Sequence, residues 1–468
     1  MSTVHCDVAV VGAGTAGLAA ERTAREAGAT TLLIDERFAG TTCATSGCMP
    51  SKLLIAAAGA AHAVRQASRF GVVAGPMTVD GAAVMQRVRA ERDRFVAGVQ
   101  KQIAALPAHL RIQSRARFEN RTTLKLEDGR EVRAKAIVIA TGSRSTVPSA
   151  LKGLGARILT NETIFELPEL PRSIAVVGAG PLGLELAQAL ARLGVGVQVF
   201  DESPHLAAIQ DKAVETYLLA HLGPALSITL GVRLEASAVE GGIDVRWTGA
   251  SHGARRFEFM LVAAGRPPAL DALNLKATGV ALDEHGSPAY DSATLQCGGS
   301  SIFIAGDAAH DRPVLHEAAA EGFIAGKNAA QFPALSRAER FVPLSIMFTD
   351  PQLAMVGIMA KDGAAAMVLG GASYEDQGRA RAFARNSGLV HLYADATHGH
   401  LSGATLFGPE VEHSAHLLAW AIQKKMTADE ILKMPFYHPT YQEGLKPALR
   451  AICKQVKSPP DDGISPGE

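Results

Sequence analysis

The chain has 468 residues, with 46 basic and 46 acidic side chains, a formal net charge of zero, 47% hydrophobic and 20% charged residues. At roughly 150 residues per domain this length suggests about three domains, and the zero net charge gives no support for nucleic acid or an anionic membrane as partner. No apolar run reaches the roughly 18 residues of a bilayer span, and residues 1–7 lack a basic n-region, so no secretory signal is expected and cytoplasmic residence is.

Residues 8–11 read as an apolar strand, followed at once by Gly12-Ala-Gly14-Thr-Ala-Gly17. An Ala-rich helical run follows and stops at Gly28; residues 31–34 form a second strand, closed by Asp35. In such a βαβ unit Gly12 allows the tight turn, Gly14 lets the backbone approach a pyrophosphate, and Gly17 lets the helix pack on the strand. The helix N-terminus favours the anion, and the acid meets a ribose hydroxyl.

Cys43 and Cys48 follow in Gly-Thr-Thr-Cys-Ala-Thr-Ser-Gly-Cys-Met-Pro-Ser-Lys, ending at Lys52. With five cysteines in the chain and no second Cys/His pair at ligand spacing, zinc is not expected. A stabilising disulfide suits a small secreted domain, so a chemically used pair is the better reading. A disulfide needs Cα atoms about 4.4–6.8 Å apart, whereas five helical steps rise about 7.5 Å. A bridge in helical context must therefore distort the chain, and Gly47 and Pro50 are placed to allow that.

The nucleotide pattern recurs. Residues 174–177 read as a strand, Gly178-Ala-Gly180-Pro-Leu-Gly183 as the turn, a helix runs to about Leu193, and residues 195–200 form a strand closed by Asp201. The acid follows the first glycine by the same interval in both units, so two dinucleotides are expected. An acid at position 201 repels a 2′-phosphate, and residues 202–210 contain no Arg or Lys; NAD(H) is expected over NADP(H).

Two further buried-strand runs end in Thr141-Gly142 and in Gly306-Asp307. A carboxylate at the carboxyl end of a parallel strand is well placed to meet a ligand. Nearer the C-terminus, residues 415–423 read as a packing helix, and Thr427-x-x-Glu430 as a capping box. His438 lies before Pro439, which biases it away from helix, and Glu443 is placed to hold its imidazole. His398-Gly-His400 reads as solvated loop, and no metal is expected. Residues 458–468 have the composition of a disordered tail.

Together these motifs resemble the flavoprotein disulfide reductases over roughly residues 4–450. The matches are Gly12-x-Gly14-x-x-Gly17, Cys43-x4-Cys48-Met-Pro-Ser-Lys52, Gly178-x-Gly180-x-x-Gly183-x-Glu185, Gly306-Asp307 and His438-Pro-Thr-x-x-Glu443. The resemblance implies FAD and NAD as cofactors. Gly12, Gly14, Gly17, Asp35, Lys52, Thr141, Gly142, Gly306 and Asp307 would serve FAD, with Asp35 on its ribose. Gly178, Gly180, Gly183, Asp201 and Gly265 would serve NAD. Cys43 would be the interchange thiol and Cys48 the thiolate against the flavin. Lys52 and Glu185 would pair beside flavin N5, and a helix beginning near residues 315–317 would point its positive end at the flavin pyrimidine edge. His438 would be the acid/base and Glu443 its orienting carboxylate.

The expected fold is α/β: two Rossmann-like domains plus an α+β C-terminal dimerisation domain. The expected boundaries are 1–148 for FAD and the cysteine pair, 149–270 for NAD, 271–340 completing the FAD site, 341–457 for dimerisation, and 458–468 for the tail. Within the class, both cysteines argue against the transhydrogenases, the lone Cys453 against mercuric reductases, and Asp201 against the NADPH-dependent glutathione reductases. The dihydrolipoamide dehydrogenases fit best, which implies a homodimer with shared active sites acting on a lipoylated protein or lipoyl domain. Thr41, Ala44-Thr-Ser46, Pro181 and Pro268 depart from the usual pattern. The rival readings are an NAD(P)H-dependent reductase of another disulfide or oxidant, and a non-enzymatic redox sensor.

Overall fold

The computed structural model describes residues 2–206, 209, 211–358 and 367–456; the tail expected at 458–468 lies outside them. The first sheet is built on Thr3–Val11, which pairs in parallel with Thr31–Asp35 on one side and Glu131–Ile139 on the other. Ile302–Ile304 adds in parallel to the carboxyl end of Glu131–Ile139, so Asp307 arrives beside Thr141. The strand at 136–140 is thus longer than the apolar run alone suggested, because its first half pairs with the antiparallel strand Thr123–Leu126.

Residues 8–11 are buried on both faces because layers cover both sides of the sheet. Val8 and Val10 face a helical layer with Ala16, Ala20, Ala24 and Ala325. Ala9 and Val11 face Leu270, Leu273 and Leu275. The helical layer packs Thr15–Glu26 against Leu315–Gln331. A Cβ on Gly322 would lie 2.2 Å from the Ala16 carbonyl oxygen, and one on Gly326 2.3 Å from that of Ala20. Two glycines one turn apart therefore let these backbones touch, and this seats the start of Leu315–Gln331 next to Gly306.

The second unit repeats the plan. Ile228–Thr229, Gly196–Phe200, Ser173–Val177, Phe259–Val262 and Ile158–Leu159 form a parallel sheet. A three-stranded antiparallel meander, Val232–Val239, Gly242–Gly249 and Gly253–Phe257, covers it through Phe200, Val245 and Phe257. Pro181 opens the helix Pro181–Arg192, where its missing N–H costs nothing.

The last unit is a five-stranded antiparallel sheet among the described residues. The helices Val411–Gln423 and Leu445–Cys453 close over it through Ala415, Leu418, Leu449 and Ile452. The capping box at Thr427 and Glu430 is formed. Leu417 and Trp420, on the outer face of Val411–Gln423, remain exposed.

Candidate active site

The two cysteines sit on either side of a break between helices. Thr42–Thr45 is a single turn whose N-cap is Thr41, accepting from the Ala44 N–H. Gly47 interrupts it with φ −111° and ψ −116°, and Cys48 begins the long helix Cys48–Gln66. A Cβ on Gly47 would lie 2.9 Å from the Thr42 carbonyl oxygen, so the break is closely packed. Gly47 alone supplies the distortion expected between the cysteines. Pro50 lies in the first turn of the following helix, where it disturbs no hydrogen bond.

Cys43 and Cys48 are present as thiols and hydrogen-bond to each other. The pair splits their acidities. The bond from Cys43 stabilises the Cys48 thiolate, burial opposes it, and the Lys52 charge adds to it, bringing the Cys48 pKa down to about 6. Cys43 is pushed far up, by the same bond and by burial. One thiol is thus held as a proton donor and the other as the anion.

Lys52 stands one turn after Cys48. Its Nζ is 2.7 Å from Glu185 Oε2 and 4.5 Å from the Phe348 ring centroid. Glu185 lies in the first half of Pro181–Arg192, and its other oxygen accepts the Phe348 N–H at 2.8 Å. This pair brings together one residue from each nucleotide fold.

Cys43, Cys48 and Lys52 line one cavity of about 420 Å³, together with Gly14, Gly142 and Asp307. Its far wall carries Val314, Leu315 and His316, the start of a helix that no side chain caps. The residues fit an FAD. Gly12 has φ +106°, and a Cβ there would lie 2.3 Å from the Ala140 carbonyl oxygen; Gly14 has no atom within 4 Å of its Cβ position. The turn is closed below and open above, as a pyrophosphate requires. A Cβ on Gly17 would lie 1.8 Å from the Gly12 carbonyl oxygen. Asp35 accepts the Ala13 N–H at 2.8 Å and those of Arg37 and Phe38. The Thr141 hydroxyl is buried without a hydrogen-bond partner, and the uncapped helix start offers unpaired N–H groups to an anionic ring edge.

The second turn matches the first. Gly178 has φ +109° and its Cβ position is 2.5 Å from the Ala263 carbonyl oxygen; that of Gly183 is 2.0 Å from the Gly178 carbonyl oxygen. Asp201 accepts the Ala179 N–H at 2.7 Å and the Ser203 N–H at 2.8 Å. Gly180 is the N-cap of Pro181–Arg192, and Gly265, at φ +128°, follows the strand Phe259–Val262.

His438 lies outside any helix and outside the lining of this cavity. Its side chain is 80% exposed, with Nδ1 3.2 Å from Glu443. The other Glu443 oxygen accepts the Thr440 N–H at 3.0 Å, closing a capping box at the turn Tyr441–Gly444. Burial raises the Glu443 pKa, but the Thr440 N–H and His438 outweigh it and hold the carboxyl below its ordinary range.

Several residues at the site carried no sequence signal. Asn161 donates to the Ser46 carbonyl at 3.0 Å, between the two cysteines, and accepts from Arg266 at 3.0 Å. Arg266 also donates to Ser143, whose hydroxyl donates to Asp307 at 2.7 Å. His416 and Phe348 line the cavity. Arg266 was within reach of sequence reading, since it follows Gly265. Elsewhere, Asp395, His398 and His400 gather with potential ligand atoms within 4.8 Å of one another; Asp395 there accepts the backbone N–H groups of Thr397, His398 and His400.

Comparison with known proteins agrees with this architecture. Residues 6–322 match the family model described as pyridine nucleotide-disulphide oxidoreductase, and residues 343–449 match its dimerisation domain. A dihydrolipoyl dehydrogenase of Halobacterium salinarum is 30% identical over 93% of this chain and 94% of its own length. A mercuric reductase of Acidithiobacillus ferrooxidans is also 30% identical, over 96% of this chain and 83% of its own length. Among solved structures, the Cu(II) complex of the HOCl-induced flavoprotein disulfide reductase RclA from Escherichia coli superposes with a TM-score of 0.81 at 21% identity, covering 95% of this chain and 99% of that one. LpdA from Mycobacterium tuberculosis gives 0.81 at 22% identity, covering 96% and 99%. The chain belongs to the pyridine nucleotide-disulphide oxidoreductase family, as a class I flavoprotein disulfide oxidoreductase that uses FAD and a nicotinamide dinucleotide.

Proposed function

We propose that the protein oxidises a protein-bound dihydrolipoyl group to lipoamide, with NAD as the final acceptor, in a homodimer whose two active sites are shared. The observation that carries this reading is the placement of Cys43, Cys48 and Lys52 in one cavity, with Lys52 one turn after Cys48 and paired to Glu185 at 2.7 Å. The choice of NAD rests on Asp201. The choice of dihydrolipoyl rests on the dihydrolipoyl dehydrogenases among the relatives.

His438 takes the proton from one substrate thiol. The resulting thiolate attacks the Cys43 sulfur of the oxidised pair, forming a mixed disulfide and releasing Cys48 as thiolate. The second substrate thiol then attacks the substrate sulfur of the mixed disulfide and displaces Cys43, closing the lipoyl disulfide; its proton goes to the departing Cys43, which leaves Cys43 as thiol and Cys48 as thiolate. Glu443 keeps the proton on Nδ1 of His438, so that Nε2 is the base. Lys52 holds Cys48 ionised, and Glu185 holds Lys52 in place. FAD, which Gly12, Gly14, Asp35, Thr141 and Asp307 would hold, would supply the two-electron relay between the Cys48 thiolate and the nicotinamide. The exposure of His438, away from its own chain's cavity, supports its delivery to the partner's cysteine pair, and the exposed Leu417 and Trp420 support a subunit contact in the same domain.

A second reading, an NAD(P)H-dependent reductase of another disulfide or oxidant, is supported by the mercuric reductases among the relatives. Purified protein assayed with dihydrolipoamide, glutathione disulfide and Hg(II), each with NAD(H) and NADP(H), separates the two. Turnover of dihydrolipoamide at least about tenfold above the others is expected. Faster NADPH-dependent turnover of glutathione disulfide or Hg(II) would replace the first reading with the second.

A further inference from the structure

A second cavity, of about 310 Å³, lies where both nucleotide folds meet the last domain. Its lining includes His62, Arg69, Arg192, His221, Asp350 and Arg385. His62 sits near the end of Cys48–Gln66, Arg192 ends Pro181–Arg192, and His221 lies on the helix Lys212–Leu226. Asp350 and Arg385 come from the last domain.

Three guanidinium groups face a single carboxylate here. Asp350 is already committed, with one oxygen 2.9 Å from Arg192 and the other 2.9 Å from Arg385. Its backbone is pinned as well, by the two ends of the Gln188 amide. Arg385 reaches out of the cavity to Glu410 with its other arm. Among the described residues Arg69 has no acidic partner, and its one hydrogen bond there is a long contact to Gln66. His62 makes no hydrogen bond with any described residue. His221 Nδ1 is 2.8 Å from the Tyr217 carbonyl oxygen, which can only accept. That nitrogen therefore carries the proton, and the ring, stacked on Tyr217, leaves Nε2 free. Protonated, Nε2 becomes a donor. The helix C-terminus at Arg192, which would repel an anion, is masked because Arg65 donates to the Arg192 carbonyl. The positive field shows in the histidine itself: burial, then Arg192, hold the His62 pKa below its ordinary value, and Asp350 only partly offsets them.

We propose that this junction is a binding site for a small phosphate-class anion, with Arg69 and His62 supplying the free donors and Arg192 and Arg385 the fixed positive wall. The volume exceeds a single orthophosphate, which favours a diphosphate or a phosphorylated small molecule. Arg192 and Arg385 are half-buried and preorganised by Asp350, Arg69 is exposed at the mouth, and guanidinium groups so arranged are suited to such ligands. Binding should tighten at low pH, because His62, whose pKa burial and Arg192 hold below its ordinary value, then becomes a cation, while Asp350, held below its ordinary range by Arg192 and Arg385 against the opposing effect of burial, stays ionised.

The test is isothermal titration of the FAD-loaded protein with inorganic diphosphate, inorganic phosphate and acetate. Saturating NAD occupies the nicotinamide site and ionic strength is held constant. Diphosphate binding at one site per chain is expected, tighter at pH 6 than at pH 8, with acetate much weaker. Arg69→Ala and His62→Gln, both away from the cysteine cavity, should each weaken diphosphate about tenfold, the value of one charge-assisted hydrogen bond, and leave NAD-dependent turnover unchanged. Arg69→Glu should abolish binding. No diphosphate binding, equal binding of acetate, or undiminished binding in both Arg69 variants would overturn the proposal.

Discussion

The Lys52 ammonium and the Glu185 carboxylate meet at 2.7 Å across two nucleotide folds, one from the helix that begins at Cys48 and the other from the helix that begins at Pro181. Glu185 is buried, with 5% of its side chain exposed, whereas Lys52 is 34% exposed. Removing the cation therefore costs more than removing an exposed ion pair, because the anion left behind keeps only the Phe348 N–H. Lys52→Met should lower stability by about 1–3 kcal/mol. It should also raise the pH at which Cys48 ionises by about one pH unit, since an opposite charge is withdrawn from the thiolate. Denaturant unfolding and a pH titration of the thiolate absorbance check the two effects. An unmoved titration would show that Lys52 does not govern Cys48.

Cys43 contributes to Cys48 mainly as a hydrogen-bond donor, and a hydroxyl can take over that task. Cys43→Ser should keep Cys48 a thiolate at rest, seen as a long-wavelength band beside the oxidised flavin absorption. The band is full while Cys48 is ionised and is lost as pH falls through its lowered pKa, where the thiol takes up its proton. Cys43→Ala, which removes the donor, should move that midpoint upward. A plain oxidised-flavin spectrum in the serine variant at pH 8 would reverse the assignment of the two cysteines.

The two glycine turns allow the cofactor sites to be separated. Gly12→Ala places a Cβ against the Ala140 carbonyl at a positive φ, and Gly178→Ala does the same against Ala263. Each should cost about 1–2 kcal/mol in backbone strain alone. Gly12→Ala should purify with at least about tenfold less flavin, because the displaced turn carries Gly14, where the pyrophosphate approaches. Gly178→Ala should purify yellow but be reduced slowly by NADH, and normally by dihydrolipoamide. Absorbance ratios and stopped-flow reduction give both readouts. Loss of flavin from Gly178→Ala would show that the second turn supports the first fold rather than a separate site.

The sequence made these turns legible because their information is local. Gly12 to Asp35 and Gly178 to Asp201 are single βαβ units, and the structure adds only that each acid ties back to its turn, through the Ala13 and Ala179 N–H groups. The break between the cysteines was half legible. Gly47 stood out as a flexible residue, but only the packing against Thr42 shows that it ends one helix before Cys48 starts another. The network from Ser46 through Asn161, Arg266 and Ser143 to Asp307 was invisible. Its partners lie more than 100 residues apart in each of these links, and although Asp307 and Arg266 stand beside legible glycines, nothing local marks Asn161 or Ser143 or joins the four. The same holds for the cationic junction, whose residues come from helix ends and loops of three separate units.

His438 and the cysteine pair of its own chain do not share a cavity. The imidazole is exposed, is not part of its own chain's cavity lining, and is held by Glu443. His438→Ala should lose roughly 10²–10⁴-fold in dihydrolipoamide oxidation and retain its flavin. Glu443→Gln should lose less, about 10–100-fold, since the amide keeps the Thr440 contact but weakens the hold on the imidazole. Co-expressed subunits decide the direction of delivery. A heterodimer of one His438→Ala chain and one Cys43→Ser chain has one intact site if each histidine serves the partner, and none if it serves its own chain. About half of wild-type turnover is expected from the purified heterodimer. Residual activity no greater than that of the parent homodimers would mean that His438 acts within its own chain, and the shared-site arrangement would be abandoned.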